Sequence, residues 1–328
     1  MLRLFVRNND HLEVVACDIA GVPQCPSGAA WYDMYNPTPE EDRFVSESLG
    51  IGIPTREEMQ DIEPSARLYK EGGAEFMTMT AITNLDGDRP LKSPITFVLT
   101  ENILVTVRYS DPKPVKLFVV RGTKPGGLTL AGGEAVMFGL IEAFIDRLAQ
   151  TLENASDEID GISHQVFRAR KIGKSQPQDL QSVIEQLGRK GELLTIARES
   201  LLSILRLTSF HQAGGEGKKA TAAVRQEAKT LQRDATALAD HSAYLSSKIN
   251  FLLDATLGLI NLEQNQIIKI FTVASVGFLP PTLVASIYGM NFDLMPELKW
   301  AFGYPLAIAF MIASALLPFL YFKRRGWL

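Results

Sequence analysis

The spacing of apolar positions changes twice along this chain, and each change marks a different kind of element. Over residues 1–125, short β-rich runs at 2–6, 76–82, 95–99 and 103–107 alternate with capped helical stretches, which predicts a mixed α/β domain. Two helix starts carry capping boxes, Thr38-Pro39-Glu40-Glu41 and Thr55-Arg56-Glu57-Glu58. In each, a hydroxyl at the cap and a carboxylate three residues on satisfy one another's backbone donors. Residues 126–217 read as a helical hairpin. Its arms, 133–170 and 177–211, are separated at Gly173-Lys174-Ser175-Gln176-Pro177, and a turn follows at Gly214-Gly215-Glu216-Gly217. Residues 218–288 then lack proline until Pro280 and hold glycine only at Gly258 and Gly277. One helix of about 105 Å is predicted there, too long for a compact globule. Along it Val224, Leu231, Leu238, Leu245, Leu252 and Leu259 recur every seventh residue. Such a seam packs against neighbouring helices, either within one subunit or between subunits.

At the C-terminal end the pattern becomes continuously apolar. No charged residue lies between Lys269 and Asp293, or between Lys299 and Lys323, and each interval holds 23 residues. As a helix, each reaches about 34 Å, enough to cross a hydrocarbon core of about 30 Å. Trp300 and Tyr304 on one side and Tyr321 and Trp327 on the other resemble interfacial belts; the competing assignment is a buried core hairpin. The segments assigned are a first span at about 267–288, a loop at 289–301, a second span at 302–322 and a basic tail at 323–328. Lys323, Arg324 and Arg325 form a positive cluster, whereas the loop carries Asp293, Glu297 and a single Lys299. By the positive-inside rule and an even number of spans, both termini are expected in the cytoplasm.

Composition narrows the function classes. With 33 basic and 37 acidic residues the net charge is −4, so no bulk field favours nucleic acid. Cys17 and Cys25 give no disulfide framework and no metal-ligand spacing, and His11, His164, His211 and His241 are scattered. Arg3, Arg7, Asp10, Glu13 and Asp18 interrupt any apolar signal-peptide core. No Walker loop, nucleophile elbow or zinc-protease helix is present, so an enzyme is not expected.

The first span carries the candidate chemistry. Read at spacings of three and four, it places Asn265, Ile268, Thr272, Ser275, Leu279, Thr282 and Ser286 on one helix face, and five of these seven are polar. Inside a membrane such a stripe either lines an aqueous path or joins helices through small hydroxyl residues. Continuing it inward adds Asn261, Gly258 and Asp254, and an acid on that face favours a cation path. Ile268 and Leu279 interrupt the stripe as candidate dewetting constrictions.

Beyond the span stands Tyr288-Gly289-Met290-Asn291-Phe292-Asp293-Leu294-Met295-Pro296-Glu297-Leu298-Lys299-Trp300. This resembles the signature of the CorA magnesium transporters, a Gly-Met-Asn triplet followed by an acidic Met-Pro-Glu-Leu loop. The flanks Gly303-Tyr304-Pro305 and Tyr321-Phe322-Lys323-Arg324-Arg325 are also similar. Likeness is close over 250–328 and looser at Asn36-Pro37-Thr38-Pro39-Glu40-Glu41 and Ile62-Glu63-Pro64-Ser65-Ala66-Arg67-Leu68-Tyr69.

The resemblance implies an α+β cytoplasmic domain, long α-helices and two C-terminal transmembrane helices, assembled as a funnel-shaped homopentameric channel in a bacterial inner membrane. Gly289, Met290 and Asn291 would form the selectivity filter, with Asp293 and Glu297 at the outer mouth. Mg2+ would be both substrate and cytoplasmic regulatory ligand, with Co2+ or Ni2+ as further possible cargo. The intersubunit acids of the family do not align here; Asp86, Asp88, Asp234 and Asp240 are candidates, with solvated surface carboxylates as their plainer role. The alternatives are a zinc transporter of the same superfamily, whose loop resembles a Gly-rich stretch without these acids, and a membrane-anchored sensor or scaffold.

Overall fold

The computed structural model describes residues 1–8, 11–15, 26–61, 63–85, 89–126, 132–172, 177–214, 222–291 and 295–326. The chain divides into two compact units, Met1–Lys174 with Gln181–Leu252, and Ser175–Leu180 with Leu253–Leu328.

The first unit is built on one sheet of seven strands: β1 (Leu2–Asn8), β2 (His11–Val15), β3 (Ala29–Tyr35), β4 (Leu68–Glu71), β5 (Ala74–Thr83), β6 (Leu91–Leu99) and β7 (Leu104–Arg108). They lie in the order β2-β1-β3-β7-β6-β5-β4. β3 and β7 run parallel, with Trp31 opposite Leu104 and Tyr35 opposite Arg108, and the other neighbours are antiparallel. The hairpin from β4 to β5 turns on Gly72 and Gly73, whose positive φ angles of 57° and 81° close Glu71 against Ala74 in a two-residue loop.

Both expected capping boxes are present, opening α1 (Pro39–Leu49) at Thr38 and α2 (Arg56–Gln60) at Thr55. Glu41 has a second role: its carboxylate also accepts from the N-terminal ammonium and from Leu2 N, each at 2.7 Å, and so fixes where β1 begins. One sheet face, with Leu4, Tyr32, Met34, Phe76, Val98, Val105 and Val107, packs under Phe44 and Val45 of α1 and Met59 of α2. On the other face Phe5 stacks on Trp31 at 4.4 Å, and Trp31 meets the edge of Phe118 from α4 (Lys113–Gly122).

That second face holds a buried ion network. Arg108 Nε donates to Asp33 Oδ1 at 2.8 Å and its Nη2 to Oδ2 at 3.0 Å, while Arg3 approaches Oδ2 and Thr106 donates to Oδ1 at 3.0 Å. Burial alone would raise the Asp33 pKa, but the hydrogen bonds and charge of Arg108, reinforced by Arg3, hold it below the usual carboxylate range.

α5 (Gly133–Ile172), α6 (Pro177–Gly214) and α7 (Ala222–Tyr288) are the long helices the sequence predicts. Between residues 137 and 166, α5 buries Met137, Ile141, Phe144, Leu148, Leu152, Ala155, Ile159, Ile162 and Val166 in steps of three and four, a single core-facing stripe. In α6, Leu187, Leu194, Leu201 and Ile204 are buried, and in α7 Leu231, Leu245 and Leu252. Ser242 Oγ of α7 donates to the Leu194 carbonyl of α6 at 3.0 Å, and Lys248 of α7 pairs with Asp160 of α5. Leu231, Leu245 and Leu252 of the seven-residue seam are therefore buried within one chain.

Where α6 ends, His211 lies between two carboxylates. Its Nδ1 is 2.6 Å from Glu75 Oε2 and its Nε2 is 2.8 Å from Glu134 Oε1, and Lys70 pairs with the other oxygen of Glu75 at 2.8 Å. Burial lowers the imidazole pKa, but the hydrogen bonds and charges of Glu134 and Glu75 outweigh it and raise it to about 9.

In the second unit, α7 continues from Leu253 to Tyr288, a short 3-10 turn covers Pro296–Lys299, and α8 spans Gly303–Arg324. α7 and α8 are both long and apolar enough to cross a membrane. Their apolar segments are almost wholly uncovered by the rest of the chain, and Phe271, Phe278, Phe310 and Leu317 stand exposed. A soluble protein's core hairpin would hide these side chains, whereas lipid is a solvent that suits them.

Candidate functional site

The candidate path is one face of α7, and the helix is what aligns it. Asp254, Gly258, Asn261, Asn265, Ile268, Thr272, Ser275, Leu279, Thr282 and Ser286 all fall inside this single helix, at steps of three or four. Within the chain the stripe is left largely uncovered. Asp254, Asn261, Asn265, Ser275, Thr282 and Ser286 are exposed, Thr272 is half-buried, and Ile268 and Leu279 are 60% and 65% exposed. Polar groups along a membrane-crossing helix face protein or water, because hydrocarbon cannot satisfy them.

Two hydroxyls are already oriented. Thr272 Oγ1 donates to the Ile268 carbonyl at 2.8 Å, and Thr282 Oγ1 donates to the Phe278 carbonyl at 2.7 Å. Each hydroxyl proton is thus spent on the helix backbone, which leaves the oxygen lone pairs as acceptors. At these two positions the face offers acceptors that suit a cation or its waters.

Sequence reading passed over a further source of acceptors. Pro280 and Pro281 lie inside α7 without ending it. Proline has no N–H, so the carbonyls of Val276 and Gly277 lack their usual donors four residues on. The Pro-Pro pair was the available signal; it reads as a helix end unless the apolar run beyond it is taken into account.

The helix closes at the Gly-Met-Asn triplet. Gly289 N donates to the Ala285 carbonyl at 2.9 Å and Met290 N to the Ile287 carbonyl at 3.3 Å, after which Asn291 leaves the helix with its side chain exposed. Gly289 sits close to the last turn, where an added Cβ would come within 3.1 Å of the Ala285 oxygen. Asp293 lies outside the described residues, as does the Glu297 side chain, although the Glu297 backbone belongs to the 3-10 turn.

Of the four acids named as regulatory candidates, two lie within the described residues. Asp86 and Asp88 lie outside the described residues. Asp234 and Asp240 are on α7 six residues apart, and Asp234 Oδ1 accepts from its neighbour Arg233 at 3.1 Å. Among the described residues, no group of three or more His, Cys, Asp or Glu is placed to hold a metal ion.

Comparison with known proteins bears on this geometry. The family model described as CorA-like Mg2+ transporter protein matches residues 26–324. The chain is 36% identical over 305 residues to the magnesium transport protein CorA of Salmonella typhimurium, covering 92% of each chain. Among solved structures, the complete CorA magnesium transporter of Methanocaldococcus jannaschii superposes with a TM-score of 0.75 at 20% identity, covering 100% of this chain and 99% of that one. The full-length CmaX protein gives 0.70 at 16% identity, covering 100% and 98%. These two likenesses support the whole fold, membrane helices included.

Proposed function

Since the chain belongs to the CorA family of magnesium transporters, we propose that it conducts hydrated Mg2+ into the cell as a homopentamer, with the polar face of α7 from each subunit lining one central pore. The family is one of transporters rather than enzymes. The observation that carries the reading is an unbroken α7 whose acceptor-rich face ends at Gly289-Met290-Asn291.

Magnesium gives up its waters reluctantly, so a selector that holds hydrated ions needs neutral oxygens able to hydrogen-bond those waters. A ring of Asn291 amides has that chemistry. Asp293 and Glu297 raise the local cation concentration at the mouth, and Ile268 and Leu279 form the apolar gate. Moving inward, a divalent ion gains about 4.6 kcal/mol per 100 mV of inside-negative potential, so uptake needs no nucleotide hydrolysis. The protein sits in the bacterial inner membrane with both termini cytoplasmic. Cytoplasmic Mg2+ closes the pore by binding acids at subunit borders, for which Asp86, Asp88, Asp234 and Asp240 are candidates. Co2+ and Ni2+ are carried as secondary cargo.

Flux into proteoliposomes under an imposed potential tests this. Mg2+ entry should rise as the interior is made more negative, with Co2+ and Ni2+ competing and Zn2+ competing less. Uptake that is indifferent to potential, or a preference for Zn2+, contradicts the reading.

A further inference from the structure

The strand β4 pairs with β5 only as far as Met77, so from Thr78 onward that edge of β5 has no strand beside it. Thr80 is instead held by α6: its N–H donates to Ser203 Oγ at 2.9 Å, and its carbonyl accepts from Ser200 Oγ at 2.6 Å. Arg206 follows Ser203 by three residues, so the same helix face carries it to this edge. From the other side, Arg67 at the end of α3 (Pro64–Arg67) lays its guanidinium over Thr80, with Nη1 and Nη2 each 3.4 Å from Oγ1. Those contacts are at the outer limit for a hydrogen bond.

The Nε of Arg67 is fully enclosed and has no hydrogen-bond partner. Burial and the nearby charge of Arg206 both disfavour the Arg67 cation, and Asp61 offsets them in part. Two guanidiniums thus share one sheet edge, and neither forms an ion pair among the described residues. Arginine does not escape such a position by losing its proton.

We propose that Arg67 and Arg206 form a binding site for a phosphate-bearing anion. A carboxylate satisfies one guanidinium fork and leaves a positive charge over. A phosphate group, near −2 at neutral pH and with at least three acceptor oxygens, accepts from both forks and balances both charges. The occupied state turns the Arg67 guanidinium so that Nε faces the anion. The ligand is a free phosphate or the phosphate of a nucleotide, and neither role depends on ion transport.

Calorimetric titration of the full-length protein in detergent, in magnesium-free buffer, tests the site. Inorganic phosphate and a nucleoside triphosphate are the two probes. The native protein is expected to bind phosphate at submillimolar concentration, with sulfate competing. Arg206→Gln, a substitution at an exposed position, should weaken binding at least tenfold without lowering the thermal midpoint in phosphate-free buffer, and Arg206→Lys should weaken it less. Arg67→Gln should match Arg206→Gln. Tighter binding of the triphosphate identifies a nucleotide as the source, and equal or weaker binding identifies free phosphate; both support the site. Three results overturn it: no binding by the native protein, binding unchanged in Arg206→Gln (an adventitious ion only), or dissociation of the oligomer by that variant. The last would show that a carboxylate from a second copy holds the pair.

Discussion

Asp33 is enclosed in the sheet with its charge intact, so its stability depends on the guanidiniums that reach it. Removing Arg108 would leave a buried anion supported only by Arg3 and Thr106. Arg108→Leu should therefore cost about 3–5 kcal/mol, read as a large fall in thermal midpoint. Arg108→Leu combined with Asp33→Leu should cost less than the single change, because no buried anion is left short of its guanidinium. His211 gives a pH dependence of definite sign. Its pKa is raised from 6.5 to about 9 in the fold. The stabilisation is fully present below pH 6.5 and is lost as pH rises through 9, amounting to about 3 kcal/mol at most. Thermal midpoints should fall between pH 6.5 and 9 in the native protein, and His211→Gln should be less stable at pH 6 and nearly flat across that range. Neither cluster was legible in the sequence. Asp33 lies 75 residues from Arg108, and His211 is 136 residues from Glu75, so only the pairing of distant elements creates them.

Elements were legible where one local rule governed them. The capping boxes at Thr38 and Thr55, the long stripes of α5 to α7 and the two apolar spans follow from spacing alone. The strands were harder. β3 buries every position from Ala30 to Met34, including Asp33, so it shows no alternation to read. The expected run at 103–107 lies one residue early because Arg108, a charged residue buried at the strand end, looks like a boundary. The strands β2 and β4 are too short to stand out from their surroundings. In α7, Ile268 and Leu279 are the two large apolar members of the polar face, eleven residues or about 16 Å apart along the helix axis. If they close the path by excluding water, Ile268→Asn or Leu279→Ser should raise resting leak in proteoliposomes with the oligomer intact on size-exclusion chromatography. Unchanged leak in both variants would place the gate elsewhere.

At the scale of the whole molecule, α7 runs without interruption from Ala222 to Tyr288 and so belongs to both compact units. The proposed magnesium brake puts acids at borders between copies, where like charges repel unless a cation bridges them. Limited proteolysis of the purified oligomer should accordingly slow as magnesium rises through the physiological range, and identical cleavage rates would remove the proposed brake.

The central claim is that Asn291 selects by hydrogen bonding to a hydrated ion, while Asp293 and Glu297 act at longer range through charge, an effect that salt screens over about 8 Å. Uptake by Asn291→Ala and by the double variant Asp293→Asn with Glu297→Gln, measured side by side in cells lacking other magnesium importers, separates the two roles. The alanine variant should lose nearly all uptake at every magnesium concentration. The double variant should lose uptake mainly at low magnesium and low salt, keeping most of its maximal rate. An alanine variant that still supports growth beside a dead double variant would contradict the assignment of Asn291 as the selector.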